Sequence, residues 1–315
     1  MTARSLSAQS AARERAVSPS VWSRLWTENG AGYLFLLPWF VGFFGLTIFP
    51  ILSSLYLSFT NFDMLTAPQW VGADNYVRMF THDPKFAQSM RVTLLFVAFS
   101  VPLKLAFALA VALLLNRGMK GLPLYRAVFY LPSLLGASVA VAVLWRTLFA
   151  GDGIINKGLA LIGIQGPAWI SNPRYSLWTL VALAVWQFGS PMIIFLAGLR
   201  QIPQDVYEAA SLEGASKWRI FWKITLPLLT PVVFFNAIIQ TIEGFKSFTP
   251  AFIISGGTGN PVNSTLFYTL YLYQEAFAFF RMGYASALAW VLLAVVAIFT
   301  GISFLTSRFW VHYDY

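Results

Sequence analysis

Long apolar stretches almost free of charge, separated by short polar stretches, dominate the chain. Asn29 to Phe62 contains no Asp, Glu, Lys or Arg. Val92 to Asn116 is interrupted only by Lys104, and Ala127 to Ala150 only by Arg146. Tyr175 to Leu199 is uncharged, Ile224 to Ser255 carries Glu243 and Lys246, and Met282 to Ser307 is uncharged. A helix needs about 20 mostly apolar residues to cross the ~30 Å hydrocarbon core of a bilayer. The pattern therefore predicts an all-α integral membrane protein with six transmembrane helices, and the even number places both termini on one side. Residues 1–29 form a polar tail, and 30–315 the six-span domain. The first apolar run is too long for the core of a signal peptide, so it is read as an uncleaved span.

Composition agrees with the pattern. Of 315 residues, 58% are hydrophobic and 10% charged, against ~25% charged in ordinary soluble domains. Too few charges exist to cover a water-exposed surface, which excludes a soluble enzyme, a disordered chain and a nucleic-acid-binding module. The net charge of +9 is explained by where the cations fall. Twelve lie on one side: Arg4, Arg13, Arg15 and Arg24 in the tail, then Arg117, Lys120, Arg126, Arg200, Lys217, Arg219, Lys223 and Arg308. Six lie on the other: Arg78, Lys85, Arg91, Lys157, Arg174 and Arg281. The excess orients both termini toward the cytoplasm and leaves outer loops near 62–91, 151–174 and 256–281. No cysteine and only two histidines are present, so a thiolate or histidine metal site is not expected. No phosphate-binding G-x-x-x-x-G-K-[ST] loop occurs, so the chain carries no ATPase of that kind.

The cytoplasmic loop 200–227 has the pattern of a helix–turn–helix at the membrane surface. Pro203 suits a first helical turn, and Asp205 and Glu208 follow where negative charge is favoured. Val206, Ala209, Ala210 and Glu213 share one face. Gly214 permits a bend that ends the helix. Lys217 to Ile224 reads as a second amphipathic segment closed by Pro227. Spacing alone leaves two uses open: docking into a partner's groove, or resting on lipid headgroups with Trp218 and Trp222 as anchors.

The residues of this loop resemble the EAA loop of the membrane subunits of binding-protein-dependent ABC importers: Glu208-Ala209-Ala210, three residues, Gly214, nine residues, Ile224, one residue, Leu226-Pro227. Trp186 with Phe195-Leu-Ala-Gly-Leu199, the segment Phe248 to Pro261, and Gly283 to Ala289 are similar to sugar permeases of the maltose-permease type. The resemblance runs from about Tyr33 to the C-terminus. It implies a type I importer permease (MetI-like) fold in the bacterial inner membrane. It implies a second homologous permease, most simply as a heterodimer, two ATPase subunits that hold the ATP and Mg, and a solute-binding protein that delivers a sugar or oligosaccharide. No cofactor is implied on this chain, and no nucleic acid. Glu208, Ala209, Ala210 and Gly214 would form the helix that couples to the ATPase.

Polar groups inside spans are costly and tend to face a cavity or a partner. Asn236, Gln240, Glu243 and Ser247 follow one another at helical spacing and predict a polar stripe on the fifth span. The stripe suits sugar hydroxyls along a translocation path, or hydrogen bonds that hold the helices together. Lys246 lies one turn from Glu243 and can neutralise it. Lys104 has no acidic neighbour on its own helix; it either snorkels, pairs with Glu243 across helices, or meets an anionic substrate. Arg146, near a span end, is expected to snorkel. Gln187 and Trp186 suit hydrogen bonding and stacking to a sugar, or simple helix packing. The basic surplus within spans keeps an acidic (uronate) saccharide open. An ion-coupled secondary transporter or channel is the alternative class; it accounts for the spans and stripe but not for the loop.

Overall fold

The computed structural model describes residues 30–117, 121–136 and 138–312. The predicted tail, with Arg4, Arg13, Arg15 and Arg24, and also Lys120, lie outside these residues. The chain divides into two compact units at Tyr56 and Leu57.

In the N-terminal unit, α1 (Gly30–Gly42) runs through a π-helical turn (Phe43–Ile48) into α2 (Phe49–Ser58). Its outward side chains are almost all large and apolar, with Phe35 85% and Leu46 81% exposed, as a lipid-facing span requires.

The larger unit opens with a two-residue hairpin, β1 (Thr60–Asn61) against β2 (Gln69–Trp70), antiparallel with Thr60 opposite Trp70. Short α3 (Asp74–Thr81) leads to the long α4 (Pro84–Leu115). This helix starts ahead of the apolar run at Val92. Asp83 caps it, accepting from the backbone N–H groups of Lys85 and Phe86, and Pro84 occupies the first turn, where no N–H is needed.

The third and fourth apolar runs do not form single helices. The third divides into α5 (Leu122–Leu135) and α6 (Val139–Leu148), whose axes differ by 97°. A short α7 (Ile154–Leu161) follows. The fourth divides into α8 (Ser176–Trp186) and α9 (Gly189–Gln201), bent by 43°. Pro191 explains the second break. It has no N–H to donate to the Gln187 carbonyl one turn back, and that carbonyl accepts instead from the Ser133 hydroxyl at 3.0 Å.

The loop 200–227 forms α10 (Gln204–Leu212) and α11 (Lys217–Ile220). Pro227 does not close the second segment as its sequence position predicts. A π-helical turn (Phe221–Thr225) carries α11 into α12 (Leu226–Phe245), and Pro227 sits in the first turn of α12. The fifth apolar run ends early, because Pro250 cannot donate to the Lys246 carbonyl. The chain breaks at Lys246–Phe248 and restarts as α13 (Thr249–Ser255). Then come α14 (Tyr268–Tyr273), a π-helical turn (Gln274–Ala278) and α15 (Met282–Ser307). Phe35–Ser58, Pro84–Leu115, Lys217–Phe245 and Met282–Ser307 are long and apolar enough to cross a membrane; each of the two bent pairs qualifies if counted as one span.

Helix α4 is the central post, packing against α8, α9, α12 and α14. Its N-terminal half, from Phe86 to Val101, joins a core with Leu183, Phe245, Phe267 and Tyr268. Its C-terminal half, from Ala108 to Leu115, joins a second core with Phe188, Phe195 and Leu229. Between the two cores the packing is interrupted, and the polar residues of the spans collect there.

Candidate functional site

The gap between the cores is a cavity of about 380 Å³. Lys104 from α4, Gln187 from the break after α8, and Gln240, Glu243, Lys246 and Ser247 from α12 and its end line it. Lys104, Gln187, Gln240 and Glu243 lie where their segments pass from one core to the other, and Lys246 and Ser247 lie just past the end of α12. Phe96 and Phe248 supply aromatic wall, and Ser100, Ser133, Ser190 and Thr249 add hydroxyls. The volume is within the ~300–1,000 Å³ of ordinary small-molecule sites.

Glu243 pairs with Lys246 at 3.1 Å, and both side chains are more than half exposed toward the cavity side of this chain. Lys104 lines the same cavity. Two cations thus face one carboxylate, and the carboxylate's short contact is with Lys246. Gln187 spends its amide N–H on the Gly136 carbonyl at 2.8 Å. That bond ties the break in one bent pair to the break in the other. Ser133 adds to the tie, accepting from Ser190 N–H at 2.9 Å. Gln187 therefore both lines the cavity and stitches the two bends together.

Asn236 is placed differently. It shares the helical face of Gln240 but does not line the cavity. Its side chain is fully buried, and neither Nδ2 nor Oδ1 has a hydrogen-bond partner among the described residues. Ser247 lines the cavity although α12 has ended before it, so helical spacing is not what brings it there. Arg146 reaches the Ile253 carbonyl at 3.3 Å rather than extending alone. Trp186 packs on Trp145, with ring centroids 5.9 Å apart, and does not line the cavity. Ser100, Ser133, Ser190, Gly136 and Thr249 were not legible as site residues, since isolated small polar residues in apolar runs are common in packed membrane helices.

On the loop 200–227, Glu208 and Ala209 are exposed on α10, and Ala210 is buried. Glu208 accepts from Gln204 Nε2 at 2.8 Å. Gly214 adopts φ +77°, a conformation that L side chains adopt only at a cost of about 1–2 kcal/mol. The Ala215 N–H returns to the Ala210 carbonyl and the Gly214 N–H to that of Ser211, each at 3.0 Å, which is the pairing of a Schellman stop. Tyr207 contacts the Thr225 hydroxyl at 3.3 Å, anchoring α10 to the π-helical turn at the base of α12. The same loop residues thus form one exposed helix with a sharp turn behind it.

The geometry can be set beside known proteins. Residues 120–313 match the model of the family described as binding-protein-dependent transport system inner membrane component. The chain is 54% identical over 288 residues to the probable ABC transporter permease protein YesP of Bacillus subtilis (strain 168), covering 91% of this chain and 93% of that one. It is 33% identical over 283 residues to the lactose transport system permease protein LacF of Rhizobium radiobacter, covering 88% and 94%. Among solved structures, it superimposes on a chain of a bacterial ABC transporter that imports the acidic polysaccharide alginate. The TM-score is 0.74 at 20% identity, with 91% of this chain and 98% of that one covered. A second structure, of an alginate ABC transporter with its pentasaccharide-bound periplasmic protein, gives a TM-score of 0.78 at 20% identity, covering 91% and 97%. With the bent helix pairs, the central cavity and the exposed loop helix in place, the chain belongs to the family of binding-protein-dependent transport system inner membrane components.

Proposed function

We propose that this chain is one of two permease subunits of an ATP-driven importer, passing a sugar or oligosaccharide from an outer binding protein through the bilayer of the bacterial inner membrane. The observation that carries the reading is the cavity between the two cores, where Lys104, Gln187, Gln240, Glu243 and Ser247 converge in a membrane domain of this family. Hydroxyls, amides and an aromatic wall are the groups that exchange hydrogen bonds with a polyol, and mid-span sites are where transporters place them. Relatives named for lactose, arabinooligosaccharide and starch-product transport support a saccharide.

In this reading the six apolar segments are six spans, with both bent pairs crossing and both termini in the cytoplasm. The ATPase is a separate pair of chains, which hold the ATP and Mg. Helix α10 docks on it through Glu208 and Ala209, and Gly214 lets the helix move as a unit when the ATPase closes. The second permease is a homologous, non-identical chain that completes the path facing the exposed Glu243–Lys246 pair. The surplus of one cation in the cavity favours an acidic saccharide such as a uronate oligomer.

Uptake in cells lacking the native gene tests this. Restored uptake of labelled oligosaccharide must depend on ATP and not on an ion gradient. Gln240→Leu is expected to reduce it without loss of the protein from the membrane, and Lys104→Gln to shift preference from uronate toward neutral oligomers. Glu208→Lys with Gly214→Asp is expected to abolish both uptake and co-purification of the ATPase; if both survive, α10 is not the docking helix.

A further inference from the structure

The loop behind Gly214 carries a second surface that the docking helix does not use. Trp218 is 71% exposed and Trp222 49%. The two indoles pack edge to face at 5.7 Å, and both touch Phe221. Lys217, Arg219 and Lys223 flank them, all exposed, with no carboxylate in ion-pair contact among the described residues. The cluster is covalently continuous with the apolar segment Lys217–Phe245 and forms its first turns. Gly214 and the Ser216 cap, whose hydroxyl accepts from the Arg219 N–H at 3.3 Å, set it off from α10. The π-helical turn Phe221–Thr225 widens the helix where Trp222 and Lys223 emerge.

Exposed indoles at a span end belong at the headgroup level, where one part of the ring is apolar and the N–H is wet. Three cations beside them complement anionic headgroups, each worth about five-fold in binding near such a surface. We infer that Lys217, Trp218, Arg219, Trp222 and Lys223 form a site for anionic phospholipid. It fixes the elbow of the loop to the membrane, and α10 with it through the Tyr207–Thr225 contact. This rests on the reading that 217–245 crosses the bilayer, but not on the identity of the transported sugar. The two halves of the loop then have separate partners: protein for α10, lipid for the elbow.

The test is native mass spectrometry of the full chain, purified with its transporter partners from phosphatidylcholine vesicles with and without phosphatidylglycerol. The wild type is expected to retain phosphatidylglycerol over phosphatidylcholine, and high salt to release it. Lys217→Gln with Arg219→Gln and Lys223→Gln is expected to weaken that retention tenfold or more, while the ATPase still co-purifies. Wild-type retention that is indifferent to lipid charge or to salt overturns the inference without any variant. Unchanged lipid retention in the triple variant overturns it, as does loss of the ATPase with lipid retained, which would assign the patch to a protein contact. Loss of saccharide uptake with lipid retention intact would bear on the transport reading alone.

Discussion

Asp83 ties together parts of the larger unit that are far apart in sequence, and its removal gives a quantitative test of the fold. One carboxylate oxygen accepts from Lys85 N–H at 3.0 Å and Phe86 N–H at 3.1 Å, capping the central helix α4. The other accepts from the hydroxyls of Tyr271 and Tyr284. Both tyrosines are buried, at 2% and 3% exposure. Burial first, and then the bond to Asp83, push the Tyr271 hydroxyl pKa up, so it stays a donor. Loss of a cap costs ~1 kcal/mol. Each hydrogen bond to a charged group contributes about 1.5–3 kcal/mol. Asp83→Ala is therefore expected to destabilise by roughly 4–7 kcal/mol if the contributions add. Asp83→Asn keeps the cap acceptor but places an amide N–H2, which accepts from neither hydroxyl, at the tyrosine side, so it should still cost about 3–6 kcal/mol. Tyr271→Phe removes one bond, for about 1.5–3 kcal/mol. Reversible unfolding of the full chain in mixed detergent micelles measures all three, and the Asp83→Ala/Tyr271→Phe double variant closes a cycle. Residues that share a bond should couple by more than ~0.5 kcal/mol. Strict additivity, or an Asp83→Ala cost under about 1 kcal/mol, would refute the assignment of Asp83 as the link between α4, α14 and α15.

Two further outcomes follow from the region of the cavity. A Cβ at Gly189 would lie 2.5 Å from the Phe129 carbonyl and 2.7 Å from Tyr130 Cα. Gly189→Ala must then push α9 off α5 and strain the Ser133–Ser190 and Gln187–Gly136 bonds, at a cost of about 1–3 kcal/mol; a melting temperature and an uptake rate both equal to wild type would contradict this. Asn236 buries an amide with no partner, a burden of about 1–3 kcal/mol, so Asn236→Leu should raise the unfolding midpoint, and a clear fall in it would mean the amide is satisfied in the native membrane.

Much of this architecture is local and so is legible in the chain. Helix α10 follows from Pro203 at its start, small residues on one face and Gly214 at its stop, all within a few residues of one another. The ends of apolar runs mark helices in the same way, because each residue's preference for lipid or water is its own property. The helix breaks were less visible. Pro191 and Pro250 lie within long apolar runs, and a proline interrupts or merely bends a membrane helix according to whether a neighbour, such as Ser133 at the Gln187 carbonyl, takes up the orphaned group.

Periodicity showed that Asn236, Gln240 and Glu243 share a face; only packing decided that Gln240 and Glu243 open on a cavity while Asn236 is enclosed. A helix face has no record in sequence of what lies opposite it. For the same reason, the presence of Lys104 and Glu243 in the lining of one cavity, and the bond of Asp83 to a tyrosine 188 residues away, belong to the tertiary structure. These are long-range pairings, chosen by which two cores form on the central helix and where the gap between them falls. The sequence by itself determined which segments enter the membrane and which polar groups they carry in with them. Tertiary packing decided which of those groups face one another.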